Sequence, residues 1–164
     1  MQTFLPFPSF KESARCLDMK RLGKQRVEAW QILTTNEKVK NHQLIYGEFS
    51  SSKVAWRNHP AVAMWRNYES MLAAYGATMC VEWKRRGYKD SLEDKFMLAM
   101  NSHEWLTPPW ITDFDSLTKL NASHQSMLLA KDPEHYAPYF PNVVENLPYF
   151  WPRYSTPSSM RIRL

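Results

Sequence analysis

Apolar residues recur along this chain with the period of an α-helix. Met64, Tyr68, Met71, Leu72, Tyr75 and Met79 follow one another at helical spacing as far as Trp83, the pattern of a face turned toward a core. Asn58-His59-Pro60 sets up that helix, with Pro60 at the first helical position and Asn58 or His59 as cap. Lys84-Arg85-Arg86 place positive charge in its last turn and Gly87 closes it. One helix is therefore predicted over 60–86. A second stripe, Ala14, Leu22, Ala29 and Ile32 with Leu17 and Leu33 at its edges, predicts a helix from near Ser9–Lys11 to about Leu33. Ser91-x-x-Asp94 resembles a capping box for a shorter helix over 91–101. Another helix is predicted from Asp115 to Lys131, stopped by Asp132-Pro133.

The segments between these stripes are polar or rich in proline. Residues 1–8 are apolar with two prolines and predict an extended segment packed on the body. Residues 35–57, with their Ser50-Ser51-Ser52 run, read as a long loop of the functional or mobile kind. Trp105 to Trp110 carries two prolines and reads as a rigid aromatic connection. Residues 136–154 hold Tyr, Phe and Pro in a density that predicts an irregular wrap, and 155–164 read as a frayed tail. Only four glycines and no sustained β-branched alternation leave an all-α fold. The expectation is one helical domain over residues 1–164, with long loops and a Pro/aromatic-rich C-terminal wrap.

Composition narrows the partners. A hydrophobic content of 44% excludes a disordered chain, and seven Trp, eight Tyr and eight Phe supply surface for a core or for stacking on bases. A net charge of +5 favours a polyanion. Cys16 and Cys80 lie far apart in predicted helices, which suits reduced thiols in a cytoplasmic protein. The first residues lack the basic and apolar regions of a signal peptide. The longest uncharged apolar run, Met71 to Val81, is too short to span a membrane. No His/Cys spacing suits a metal, and neither metal nor cofactor is expected.

Candidate chemistry concentrates in Leu17–Ala29. At ~100° per residue, Asp18, Arg21, Gln25 and Glu28 fall within an arc of roughly 80°, on the apolar side of the helix. Polar groups there must be paired or used. They form either a buried ion-pair network or the wall of a polar cleft, with Glu28 or Asp18 as acid/base and Arg21 holding an anion. Lys20, Lys24 and Gln31 point the other way. His59, at a helix start and beside Trp56 and Arg57, reads as an anion or base contact or as a cap. His124 shares a face with Leu120, Met127, Leu128 and Lys131, the setting of a core histidine or of a catalyst. Lys84 to Arg86 form a solvated helix end or a phosphate contact.

Three blocks carry a resemblance. They are Ser13-Ala14-x-x-Leu17 with Arg26-Val27, then His59 to Tyr88 ending Glu82-Trp83-Lys84-Arg85-Arg86-Gly87-Tyr88, then Ser123-His124-Gln125-Ser126 through Lys131. With the Leu17–Glu28 run, His59-Pro60-x-x-x-Met64-Trp65 and Phe150-Trp151-Pro152, the chain resembles the pyrimidine-dimer DNA glycosylase/AP lyase family, small all-helical enzymes of phage type, and more closely a bacterial and phage branch of it. The resemblance implies DNA repair chemistry in which the N-terminal α-amine attacks the sugar C1′, a Schiff base forms, and a glutamate of the first helix assists. An α-amine near pKa ~8 suits that attack better than a lysine near ~10. This chain departs from the pattern twice. Gln2 is a large second residue of the kind that blocks Met removal, so the amine belongs to Met1. The position of the family's glutamate falls near Gly23, and the nearest acids are Asp18 and Glu28.

The resulting expectation is a DNA-processing enzyme acting on a damaged or modified pyrimidine, a glycosylase with or without lyase activity. Catalysis falls to Glu28, Asp18, Met1 and His59. Phosphates would be met by Arg21, Arg26, Lys84 to Arg86 and Lys131, and a base would stack on Trp56 or Trp65, with Gln25 and His124 lining the site. The alternatives are a non-catalytic nucleic-acid or nucleotide-binding protein, and a transferase or hydrolase of modified nucleotides using Asp18 and Glu28.

Overall fold

A computed structural model describes residues 1–46 and 54–152, which form eight helices and no strand. They are α1 (Phe10–Cys16), α2 (Met19–Tyr46), α3 (Pro60–Met64), α4 (Glu69–Arg85), α5 (Glu93–Ser102), α6 (Pro109–Thr112), α7 (Phe114–Lys131) and α8 (Pro133–Tyr136). The all-α expectation holds. None of the described helices is long and apolar enough to cross a membrane.

The long helix expected over 9–33 is two helices. The chain turns extended at Leu17 (ψ 134°), and Asp18 restarts it, its carboxylate accepting the Arg21 N–H at 3.1 Å as an N-terminal cap. The stripe runs unbroken through the turn because Leu17 and Leu22 both reach the core. Arg86 closes the end of α1, donating to the Leu17 carbonyl at 2.8 Å and to those of Ala14 and Arg15 at 3.2 and 3.0 Å, while its Nε is 2.8 Å from Glu82. Side chains at α-helix ends satisfy carbonyls that lack partners along the helix. Arg86→Met is expected to destabilise the fold by about 3 kcal/mol, measured by denaturant unfolding.

α2 does not stop at Leu33. It continues to Tyr46, across half of the stretch read as a loop. The apolar pattern fades there because polar residues occupy inward positions. Asn36 is fully buried and donates to the Val62 carbonyl at 3.1 Å, and Lys40 pairs at 2.7 Å with the buried Glu69 of α4. Ser50-Ser51-Ser52 lie outside the described residues. The helix expected over 60–86 is likewise divided. Asn67 takes a left-handed φ of 70°, a conformation asparagine tolerates, and α4 begins at Glu69. For α5, Asp90 accepts the N–H groups of Leu92 and Glu93 at 2.9 and 2.7 Å, so the expected Ser91 capping box is replaced by Asp90. The aromatic connection contains one helical turn, α6, with Pro109 first. Residues 137–152 are irregular, as expected of the wrap, and the tail 155–164 lies outside the described residues.

The core packs Leu22, Ala29, Ile32 and Leu33 of α2 with Leu72, Tyr75 and Met79 of α4. α5 lies close on α4 because Gly76 lacks a Cβ; a methyl there would come within 2.3 Å of the Phe96 ring. Cys16 and Cys80 are buried free thiols, and burial pushes the Cys16 thiol up to about 12.

Candidate active site

Residues 2–6 are buried, and two prolines bar them from a helix. With no strand alongside, their backbone groups need side-chain partners. The polar stripe of α2 supplies two: Phe4 N–H donates to Gln25 Oε1 at 2.7 Å and Gln2 N–H to Glu28 Oε2 at 2.9 Å. Leu5 N–H donates to His124 Nδ1 at 2.9 Å, while Asn121 and Gln125 donate to the carbonyls of Leu5 and Pro6 at 2.6 and 2.7 Å. The Tyr75 hydroxyl lies 2.9 Å from the Phe4 carbonyl and 2.8 Å from Gln25 Oε1. Trp65 Nε1–H donates to Thr3 Oγ1 at 2.8 Å. α2, α4 and α7 together hold the first residues as a fixed rod.

His124 serves that clamp rather than the solvent. Its Nδ1 accepts a hydrogen bond, so the ring is neutral with the proton on Nε2, which has no partner among the described residues. The ring stands edge-on to Phe4 and Tyr149. Burial brings its pKa from 6.5 down to about 3. Protons therefore bind the unfolded chain and not the folded one in that window, so stability falls as pH drops from 6.5 toward 3. The slope is about 1.4 kcal/mol per pH unit. Urea unfolding at pH 7 and pH 5 is expected to show a loss of about 2 kcal/mol, absent in His124→Gln.

Where the rod ends, a cleft of about 540 Å³ opens. Met1 and Gln2 of the rod, Arg21, Gln25 and Glu28 of α2, and His59, Tyr149 and Trp151 line it. Lys20, Lys24 and Lys131 also line it. Here the structure corrects the sequence reading, which turned Lys20 and Lys24 away. The cleft lies at the margin of the stripe, not over its centre, where long lysine stems from the exposed side reach it. The chain's first amine, Glu28 and His59 share one end. Burial lowers the His59 pKa, the amine's positive charge lowers it further, and Glu28 opposes both. His59 Nδ1 accepts the Ala61 N–H at 3.1 Å, so the residue caps α3 and also faces the cleft. Among the described residues, no group of three His, Cys, Asp or Glu is placed to hold a metal ion.

The family model for pyrimidine dimer DNA glycosylases matches residues 1–96 of this chain. The chain belongs to that family. No curated protein and no solved structure matches it. At the level of the family its function is of the pyrimidine-dimer DNA glycosylase type, with DNA as substrate. The matched region contains the rod, Arg21, Gln25, Glu28 and His59. Lys131, Tyr149 and Trp151 come from beyond it.

Other candidate residues of this glycosylase-family chain lie away from the cleft. Asp18 does not line it. Burial pushes the Asp18 carboxyl up, but hydrogen bonds from the Tyr136 hydroxyl at 2.5 Å and from Arg21 outweigh this and leave it below the usual range. Arg21 bridges the two regions, pairing with Asp18 at 3.0 Å and Asp132 at 3.6 Å. Arg26 pairs with Asp90 and lies over the Trp83 ring, 4.5 Å from its centroid. Arg86 is the α1 lock, and Trp65 is a core residue. Trp56 is exposed, at φ 66°, with its ring 5.8 Å from that of His59. Sequence reasoning missed Tyr149 and Trp151 as cleft walls, because nothing in an irregular Pro-rich segment signals which rings turn inward.

Proposed function

We propose that the cleft is the active centre of a glycosylase for damaged pyrimidines in which the Met1 α-amine is the nucleophile and Glu28 its electrostatic partner. The observation that carries this reading is the Gln2 N–H bond to Glu28, which fixes the residue beside the amine against a carboxylate in a cleft whose other charged side chains are the cations Lys20, Arg21, Lys24 and Lys131. The amine's electron pair attacks C1′, and the glycosidic C–N bond breaks with its electrons leaving on the base, which takes up a proton. The nitrogen then loses a proton and its electron pair forms the C=N bond as the C1′–O4′ bond breaks, O4′ taking up a proton as the hydroxyl of the opened sugar; reduction of this iminium would trap the DNA. Glu28 Oε1 accepts from no described donor, so the carboxylate is available to the developing positive charge on the sugar. His59, held toward its neutral form with Nδ1 occupied by the Ala61 N–H, presents Nε2–H to the same end as a hydrogen-bond donor. Asp18, already bound on both oxygens, acts by positioning Arg21.

Lys20, Arg21, Lys24 and Lys131 supply four cations for the DNA backbone. Binding to duplex DNA is expected to weaken with salt, with a slope of log K on log salt of about −3.6. A flat salt response would favour the second reading, a small-nucleotide pocket, which the cleft's volume also suits. Borohydride treatment of the native chain with a duplex carrying an abasic site tests the amine chemistry. A covalent adduct is expected; its absence on abasic and damaged duplexes alike contradicts the proposal.

A further inference from the structure

Trp56 combines two features that destabilise a folded chain. Its backbone lies in the left-handed region at φ 66°, where the other non-glycine positions among the described residues are Asn67 and Asn146. Asparagine tolerates that conformation, whereas a bulky side chain there is strained. The indole is also 64% exposed, so core packing does not offset the strain. Strain of this kind persists only where the surroundings enforce it, and it gathers at functional sites.

The surroundings here do enforce it. The His59 N–H donates to the Trp56 carbonyl at 2.8 Å, and Arg66 donates to the carbonyl of the next residue, Arg57. The turn is thereby tied to residues on both sides of α3. One of them, His59, lines the cleft near Met1 and Glu28. Ring contacts lead outward from the cleft: Tyr149 to Trp151 at 5.6 Å, Trp151 to His59 at 6.1 Å and His59 to Trp56 at 5.8 Å between centroids. The first three rings line the cleft, and Trp56 stands beyond them. It is tilted by 60° from the imidazole instead of stacked on it, so His59 does not cover the indole face. Lys20, Arg21, Lys24 and Lys131 draw a polyanion to the same cleft. What a nucleic acid presents to an open aromatic face is a base.

We propose that Trp56 is the outer stacking platform of the cleft, its indole face taking an unstacked nucleobase next to the sugar that reacts. This rests on the glycosylase reading of the same cleft and adds to it a residue that favours opened over intact duplex. In an intact duplex each base is covered by its neighbours, and the platform contributes nothing. Beside a lesion a base can leave the stack and recover the lost contact on the indole. The enforced turn holds the ring ready, so no side chain has to be ordered when the base arrives.

Equilibrium binding to a duplex with one abasic site, and to the same duplex without it, tests the proposal. The native chain is expected to prefer the abasic duplex, and Trp56→Gly to lose about tenfold of that preference. Affinity for the intact duplex and the slope on log salt are expected to stay as they are, since no phosphate contact is removed. Trp56→Phe is expected to keep most of the preference. Urea unfolding separates a binding role from a structural one. Glycine takes φ 66° without strain, so the Trp56→Gly midpoint is expected at or above the native one. No preference in the native chain, an unchanged preference in Trp56→Gly, or an equal loss in Trp56→Phe overturns the proposal. So does a loss accompanied by a lower midpoint, which would make Trp56 a support of its turn. A native chain that binds neither duplex overturns it together with the reading of the cleft. If binding and preference are present but no borohydride adduct forms, the amine chemistry alone falls, and Trp56→Gly still decides the platform.

Discussion

Glu28→Gln is expected to leave the fold intact and to slow base release by about 10²–10⁴-fold. The glutamine carbonyl can still accept the Gln2 N–H, which lies 2.9 Å from Oε2 in the native chain, so the clamp on the first residues survives. What disappears is the negative charge. Glu28 is the acid among the residues lining the cleft, where Lys20, Arg21, Lys24 and Lys131 supply positive charge. A sugar passing through an oxocarbenium-like state beside those cations needs that carboxylate, and a neutral amide cannot replace it. Single-turnover excision on a dimer-containing duplex measures the loss, with unfolding free energy as the control. Native excision rates in a well-folded Glu28→Gln would remove Glu28 from the chemistry.

A residue added ahead of Met1 is expected to abolish the borohydride adduct. The extra residue carries the amine about 3.5 Å further along the chain, and it does so from a fixed point, because Gln2 is buried and its N–H is tied to Glu28. The new residue would fill the end of the cleft that the sugar must enter. Lys20→Ala and Lys24→Ala are expected to keep the adduct while weakening duplex affinity, since each removes one phosphate partner and reduces the salt slope by about 0.9. Both lysines face the cleft, which makes these controls necessary. Retention of the adduct in the extended chain contradicts the assignment of the nucleophile.

The apolar stripes identified the helices because burial is periodic: α5 and α7 come out close to their expected bounds, and α4 does so at its C-terminal end. The stripes did not show where helices break. Leu17 and Leu22 keep the same face across the turn at Asp18, and a residue cap leaves no gap in hydrophobicity. Beyond Leu33 the reverse happens, where Asn36 and Lys40 put polar groups on the inward side and hide a continuing helix. The polar stripe of α2 was visible as a set of groups needing partners. The partners of Gln25 and Glu28 were not, because they are the backbone N–H groups of Phe4 and Gln2, contacts with no signature in side-chain type. For the same reason His124 could be seen as an inward histidine and not as the acceptor for Leu5. Arg26, Arg86 and Trp65, candidates by residue type, are held by Asp90, by the end of α1 and by Thr3.

The central claim is that the amine of the first residue, set beside Glu28, forms the bond to DNA. Peptide mapping of the borohydride-trapped adduct by mass spectrometry tests it most directly. The deoxyribose-derived mass is expected on the α-amine of the peptide that begins at Met1. The same mass on Lys20 or Lys24, with the α-amine unmodified, would contradict the account.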